Sequence, residues 1–192
     1  HPTGNPHDMF PEQRTYSEWL NSSFANGGVD MGGRWGGNIT TVSSCQDCHM
    51  PDQTGFGCHP DLETPERNDL PHHGFTGVNR WMLDVLLHLY TPDLFQYQIE
   101  AIEQAKSDTE SVLDRATDVT LFQLGAELRV RVTNQCGHKL FTGYPEGRRA
   151  WINVRFLDQN LGLIAERGHY DGATATLTEA GTKGYQVKHG LD

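Results

Sequence analysis

The chain has 192 residues, a formal net charge of −10 and a hydrophobic share of 36%. This length suits one medium domain or two small ones, and the many glycines (21) and prolines (9) predict a modest core with much loop. The negative charge argues against nucleic acid or an anionic membrane as a partner. No apolar stretch approaches the about 20 residues of a membrane-spanning helix.

Helical patterns occupy the first part of the sequence. Residues 11–28 combine an opening proline, apolar residues on one face and a closing glycine pair, which predicts a helix. Residues 26–44 are glycine-rich and predict a loop. Residues 79–90 are apolar nearly all round and predict a buried helix capped by Asn79, and residues 91–116 predict a longer helix opened by a Thr-Pro pair.

The hydrophobic period changes to two at about residue 117. The stretch LFQLGAELRV predicts a hairpin that turns at Gly125, and FLDQNLGLIAE predicts another that turns around Asn160. The sequence therefore predicts an α+β fold, in which a helical and loop-rich part (1–116) precedes an antiparallel β-sandwich-like unit (117–192). Because the sequence stops in mid-pattern, we expect a fragment of a longer protein and an incomplete β unit.

The stretch SSCQDCHMP carries the strongest signal for chemistry. Cys45 and Cys48 are three positions apart, and His49 follows the second cysteine. A c-type haem is attached by thioether bonds from two cysteines at this spacing, and the next histidine reaches the iron from one face. The motif predicts one covalently bound haem c, with Cys45 and Cys48 as the thioether residues and His49 as the proximal iron ligand.

Two other kinds of site use cysteines at this spacing. A zinc ion would need further ligands, for which Cys58 and His59 are near in sequence, but a second close Cys/His pair is missing. A thiol–disulfide redox pair would be expected at a strand-to-helix junction in a βαβ pattern, and no such pattern precedes the motif. Haem attachment is the interpretation that we favour.

The two remaining cysteines, Cys58 and Cys136, lie outside the haem motif. Haem c is attached outside the cytoplasm, where disulfides also form, so we expect a periplasmic or extracellular protein with a Cys58–Cys136 disulfide. Two free thiols are the alternative. In the chain-entropy model, closing so long a loop stabilises the fold by roughly 4 kcal/mol.

Three stretches, SCQDCHMP, DLPHHGFTGVNRW and VTNQCGHKLFTGYPEGRRAWINVRF, occur in this order. Together they resemble the bacterial multihaem c-type cytochromes, in which haem-binding segments precede a β-rich part with a His-Lys-Leu-Pro-Thr-Gly-Tyr-Pro motif. The resemblance covers roughly residues 12–170 and implies haems with two histidine ligands, export and electron transfer. The chain departs from the family pattern at two points. Phe141 stands where the family usually has proline, and the chain has one Cys-x-x-Cys-His motif where the family has several.

The resemblance also implies candidates for the distal iron ligand. The family's Leu-Pro-x-His-x-Phe-Thr-Gly segment falls on His73, which is our first choice. Its Gly-His-Lys-Leu segment falls on His138, which is the second choice or the ligand of a neighbouring haem. Other candidate ligands are His1, His7, His59, His72, His88, Met31 and Met82. Candidate partners for the haem propionates are Arg34, Arg80, Arg148 and Arg149.

These features predict an exported electron-transfer protein with one covalent haem c, or a piece of such a protein in a multihaem assembly. Its partners would be redox proteins or neighbouring haem subunits, in an oligomer or a filament, with no nucleic acid and no transmembrane segment. Two alternatives stay open. One is a multihaem oxidoreductase acting on small nitrogen compounds, which needs an open position on the iron. The other is a structural haem-carrying subunit.

Overall fold

The structure is a computed structural model and describes residues 13–186. Its α-helices are α1 (Thr15–Leu20), α2 (Cys45–His49), α3 (Arg80–Tyr90) and α4 (Gln96–Ala116), and 3-10 turns lie at Pro60–Leu62 and Thr91–Asp93. Within residues 13–186, no helix has the length and apolar character needed to cross a membrane.

The strands pair in twos. In chain order they are β1 (Val29–Asp30), β2 (Thr41–Val42), β3 (Asp52–Gly55), β4 (Arg67–Pro71), β5 (Thr117–Leu124), β6 (Glu127–Asn134), β7 (Arg149–Trp151), β8 (Val154–Leu157), β9 (Leu163–Arg167), β10 (Tyr170–Asp171), β11 (Thr176–Leu177) and β12 (Gly184–Gln186). The antiparallel pairs are β1–β2, β3–β4, β5–β6, β7–β12, β8–β9 and β10–β11. The mixed α+β class is confirmed, and within residues 13–186 each sheet has two strands.

The hairpin β5–β6 is a long, regular pairing and confirms the turn predicted at Gly125. Every residue of β5 has a partner in β6, and Gly125 has a φ of +61°, which glycine adopts without steric cost. Directly paired residues share a face of the ribbon, and one face is therefore apolar. Its paired residues are Val119, Leu121, Val130 and Val132. The second predicted hairpin, around Asn160, forms as β8–β9.

Two helices are shorter than the sequence pattern suggests. Helix α1 ends at Leu20, because the Ser22 hydroxyl donates to the Trp19 carbonyl and accepts from the Phe24 amide, and such local bonds compete with the helical ladder. Helix α4 begins at Gln96, since the Thr-Pro pair before it opens a 3-10 turn instead. Both helices lie within the ranges predicted for them.

Helix α3 forms where predicted, but the expectation that it is buried is wrong. None of its residues is buried, and Trp81 is 61% exposed. The helix packs against α4, and ion pairs border this contact: Arg80 and Lys106 both bind the Asp84 carboxylate. One neighbouring helix covers one side only, so the apolar residues on the other sides stay exposed.

The chain divides into two compact units. Of the described residues, the first unit comprises 14–140, and the second comprises 141–186 with Gln13. The boundary between these compact units lies after the hairpin β5–β6. Contacts at the base of the hairpin tie it to the first unit: Arg34 donates to the Asp118 carboxylate at 2.5 Å, and the Gln135 backbone amide donates to the Ala116 carbonyl at 2.9 Å.

The core of the first unit is small. Among the described residues, four apolar side chains are buried, and they form one cluster: Trp35, Val42, Val112 and Ala116. Phe24, Met31, Cys48 and Cys136 pack against this cluster and are partly buried. The glycine-rich loop and helix α4 thus contribute the core. Its small size agrees with the modest hydrophobic share of the sequence.

Replacement of Gly37 by alanine should destabilise the first unit by about 1–3 kcal/mol. Gly37 has a φ of +70°, and an added Cβ would lie 2.9 Å from the Asp52 amide nitrogen, so both the backbone and the new methyl group would be strained. Gly57→Ala is the matched control, since its φ is not in the left-handed region and nothing lies within 4 Å of an added Cβ. Urea denaturation measures both; equal midpoints would contradict this account.

Candidate functional site

Helix α2 carries the Cys-x-x-Cys-His motif, and a capping box begins it. The Ser44 hydroxyl accepts from the Asp47 amide, while the Asp47 carboxylate accepts from the amides of Ser43 and Ser44 at 2.8 and 2.9 Å. Burial alone would raise the pKa of Asp47, but these hydrogen bonds outweigh it and the pKa lies below its usual value. The short helix therefore begins with a stable ionised cap, and it brings Cys45, Cys48 and His49 to one pocket.

The pocket lies within the first unit and is mainly apolar. It encloses about 780 Å³ of empty space, part of which is open to solvent. Its apolar wall comes from α1, α4 and the loops, namely Trp19, Phe24, Trp35, Val78, Val112, Ala116 and Leu140. The polar and sulfur-containing residues that line it are Thr15, Ser44, Cys45, Cys48, His49, Cys136 and His138. All three motif residues and the second-choice distal ligand thus line one cavity.

His49 and His138 lie next to each other in this pocket. Their ring centroids are 6.3 Å apart and the ring planes are nearly parallel, at 13°. Metal–imidazole bonds are about 2.0 Å long, so two histidines on opposite sides of one metal ion have ring centroids roughly 6 Å apart. The observed separation suits such a pair.

Backbone carbonyls hold both rings in the same tautomer. Nδ1 of His49 lies 2.7 Å from the Thr76 carbonyl, and Nδ1 of His138 lies 3.0 Å from the Lys139 carbonyl. A carbonyl oxygen only accepts, so each Nδ1 carries the proton and donates it. In the neutral imidazole Nε2 then has its lone pair available for a metal ion, which is the arrangement that metal-ligating histidines use.

The turn that presents His138 is fixed by its neighbours. The Asn134 side chain accepts from the Cys136 amide at 3.0 Å and donates to the His138 carbonyl at 2.7 Å. Gly137 lies against the aromatic wall, where an added Cβ would be 3.2 Å from the Trp19 ring and 3.3 Å from the Phe24 ring. The absence of a side chain at Gly137 therefore allows the turn to pack closely against α1.

The four cysteines are all free in the structure, and the predicted Cys58–Cys136 disulfide is not formed. Cys58 contacts the Thr64 hydroxyl at 3.2 Å, whereas Cys136 packs against the core and lines the pocket with Cys48. Burial raises the pKa of Cys48 to about 12, with a smaller effect from the nearby Cys136, and burial raises the pKa of Cys136 to about 11. Protonated thiols behave as small apolar groups and suit an apolar wall.

His73, the first choice for the distal ligand, does not line the pocket. It is exposed and packs edge-on against the Phe75 ring, at 6.0 Å between centroids. Its segment contributes to the pocket differently, through the Thr76 carbonyl that orients His49 and through Gly77 and Val78 in the lining. The pocket therefore brings His138, and not His73, together with His49.

The other candidate ligands lie elsewhere. His72 borders a second cavity beside Cys48, and His59 and His88 are exposed. His88 is therefore not the core histidine that a buried helix would have required. Met31 packs against the core, Met82 is 41% exposed on α3, and neither lines the pocket. His1 and His7 fall outside the described residues.

The arginines predicted to bind propionates do not line the pocket. Arg34 binds Asp118 and the Arg115 carbonyl, and Arg80 binds Asp84 and Glu110. Arg148 and Arg149 belong to the second unit, where Arg149 approaches Glu179 at 3.8 Å. Side-chain type alone suggested these residues, and Arg34, Arg80 and Arg149 form ion pairs within the protein instead.

Sequence reasoning missed several pocket residues. Trp35 is 3% exposed, and its Nε1 is buried without a hydrogen-bond partner in the described protein. Trp19 also lines the pocket, but its Nε1 donates to the Ser43 carbonyl at 2.8 Å. The sequence context could have indicated that Trp35 is buried, since one large aromatic residue between glycine pairs is unusual in a polar loop.

The residues fit a covalently held haem. Two thiols and a histidine on one helical turn, a second histidine at a metal-bridging distance and a mainly apolar wall are the groups that such a cofactor uses. The zinc alternative would need a fuller ligand set, and residues 13–186 contain no group of three or more His, Cys, Asp and Glu side chains that could hold a metal ion.

Comparisons with known proteins found no match: no family model fits the sequence, and neither a curated protein nor a solved structure is significantly similar to it.

Cys136 should react with iodoacetamide slowly at neutral pH, and the rate should rise about tenfold per pH unit until the pH nears the pKa, because only the thiolate reacts. That pKa is about 11. The measurement is the alkylation of Cys136, followed by peptide mapping with mass spectrometry in a Cys58→Ser variant, which lacks the predicted disulfide partner. In the parent chain, alkylation of Cys136 only after reduction would instead indicate the Cys58–Cys136 disulfide.

Proposed function

We propose that this protein is an electron carrier that holds one haem c in the pocket of its first unit. Cys45 and Cys48 would hold the cofactor through thioether bonds, and His49 and His138 would be its two axial ligands. When bound, haem c supplies a one-electron couple between ferric and ferrous iron. The apolar wall of the pocket would shield much of the cofactor from water, and the Thr76 and Lys139 carbonyls would keep the two imidazoles in place.

One observation carries the proposal: the parallel rings of His49 and His138, 6.3 Å apart, with both Nδ1 atoms bonded to carbonyls. In the neutral imidazoles, this arrangement leaves both Nε2 lone pairs available to a metal ion. Two histidine ligands fill both axial positions of a haem iron, which suits electron transfer and leaves no position for a substrate. The geometry therefore favours the electron carrier over an oxidoreductase acting on small nitrogen compounds.

The proposed setting is the periplasm or the cell exterior, because haem c is attached outside the cytoplasm. The partners would be redox proteins or neighbouring haem subunits, in an oligomer or a filament, as the resemblance to multihaem cytochromes implies. If His138 serves the haem of its own chain, His73 is the family-type histidine left over. Its exposure beside Phe75 makes it the candidate ligand for a haem carried by a neighbour.

The sandwich-like packing of the strands between 117 and 192 also stays a proposal. It is supported by the exposed apolar face of β5–β6, where Val119 is 63% and Leu121 is 58% exposed. An isolated two-stranded hairpin is marginally stable in water, so a second apolar layer over this face would stabilise it.

The first experiment tests covalent attachment. The protein, produced with a haem c maturation system, is denatured, extracted with acidified butanone and assayed as a pyridine haemochrome. We expect one haem per chain that stays with the protein, and we expect the Cys45→Ala/Cys48→Ala double variant to lose all of it to the solvent, because both thioether bonds are gone. Extractable haem in the parent protein, or zinc in its place, would refute the proposal.

The second experiment tests the distal ligand. His138→Ala should convert most of the ferric iron from low spin to high spin, since one strong-field imidazole is lost, and low-temperature electron paramagnetic resonance measures the change. His73→Ala is the matched control and should stay low spin. A high-spin His73→Ala variant with a low-spin His138→Ala variant would return the assignment to His73.

A further inference from the structure

The Trp35 indole is a buried hydrogen-bond donor without an acceptor in the described protein. The residue is 3% exposed, and no partner lies within reach of Nε1. Other tryptophans show the usual arrangement: Nε1 of Trp19 donates to the Ser43 carbonyl at 2.8 Å, and Nε1 of Trp151 donates to the Gly168 carbonyl at 3.1 Å. Buried polar groups are almost always paired, so an orphaned donor points to an acceptor that the chain itself does not supply.

The position of Trp35 indicates what kind of acceptor this is. The side chain packs in the core and lines the pocket that holds Cys48, His49 and His138. The Arg115 guanidinium lies over the indole ring, 5.8 Å from its centroid. A neutral donor beside a cation favours an acceptor with negative charge, and hydrogen bonds to ionised acceptors are the stronger ones.

We propose that Trp35 Nε1 donates a hydrogen bond to a carboxylate of the tetrapyrrole bound in this pocket, that is, to a haem propionate. This inference rests on the proposed function. It gives the propionate a neutral, buried partner on the glycine-rich loop, in place of the arginines that the sequence suggested. Trp35 is then a positioning residue: it anchors one edge of the cofactor and offsets part of the negative charge of the carboxylate.

Removal of the indole N–H should lower the midpoint potential of the haem. The donor offsets part of the propionate charge, and without it that charge stabilises the ferric state more strongly. The change should also shift the propionate bending band in the low-frequency resonance Raman spectrum, because the carboxylate loses its partner. Neither effect is expected from a tryptophan that only packs.

The experiment uses the haem-loaded protein and two replacements of the indole. One is Trp35→Phe. The other places 3-benzothienylalanine at position 35, where sulfur replaces the N–H and the ring keeps its size, so that packing and folding are preserved. Trp151→Phe is the matched control, because its N–H is bonded within the second unit and does not line the pocket. Redox titration and resonance Raman spectroscopy are the measurements.

We expect both replacements at position 35 to lower the potential and shift the propionate band, while Trp151→Phe leaves both unchanged. An isosteric 3-benzothienylalanine protein with the parent potential and the parent band would overturn the inference, even if Trp35→Phe failed to fold. Failure of the proposed function is distinguishable, since it would appear in the parent protein as missing covalent haem. If the parent protein carries covalent, low-spin haem and the isostere changes neither the midpoint potential nor the propionate band, only the role of Trp35 is contradicted.

Discussion

The shortage of buried apolar surface is the constraint on which this structure depends. The core cluster consists of Trp35, Val42, Val112 and Ala116, and three of these four also line the pocket. Each square ångström of apolar surface removed from water contributes about 25 cal/mol, so a large flat apolar cofactor in this pocket would extend the core substantially. Folding and cofactor binding are then linked, because a group that binds the folded chain stabilises it.

Local backbone chemistry explains how the pocket residues are arranged. The capping box of Ser44 and Asp47 begins the turn that carries Cys45 and Cys48, and the Thr76 carbonyl orients His49. On the opposite side, the Asn134 side chain and the close approach of Gly137 to α1 hold the turn that presents His138. Because hydrogen bonds fix both imidazoles, they would lose little conformational freedom as ligands of the proposed haem.

The same shortage leaves apolar surface exposed outside the pocket. Helix α3 exposes Trp81 and Leu89, and the ribbon β5–β6 exposes Val119 and Leu121. Both elements form where their hydrophobic periods predict them, but each has too few neighbours to bury its apolar residues. These surfaces are where strands of a larger β unit, or neighbouring subunits of an assembly, would add buried area.

The sequence by itself determined the local features: the α+β class, the hairpin turn at Gly125, the boundaries of α3 and the grouping of Cys45, Cys48 and His49. Each follows from interactions within a few residues, and the spacing of the motif already specifies one helical turn. Only the tertiary structure decided which distant groups meet. His138 rather than His73 lies next to His49, Cys136 lines the pocket instead of pairing with Cys58, and Trp35 contributes a buried donor. These choices depend on how α1, α4 and the loops pack around one cavity, and no periodicity in the chain encodes that packing.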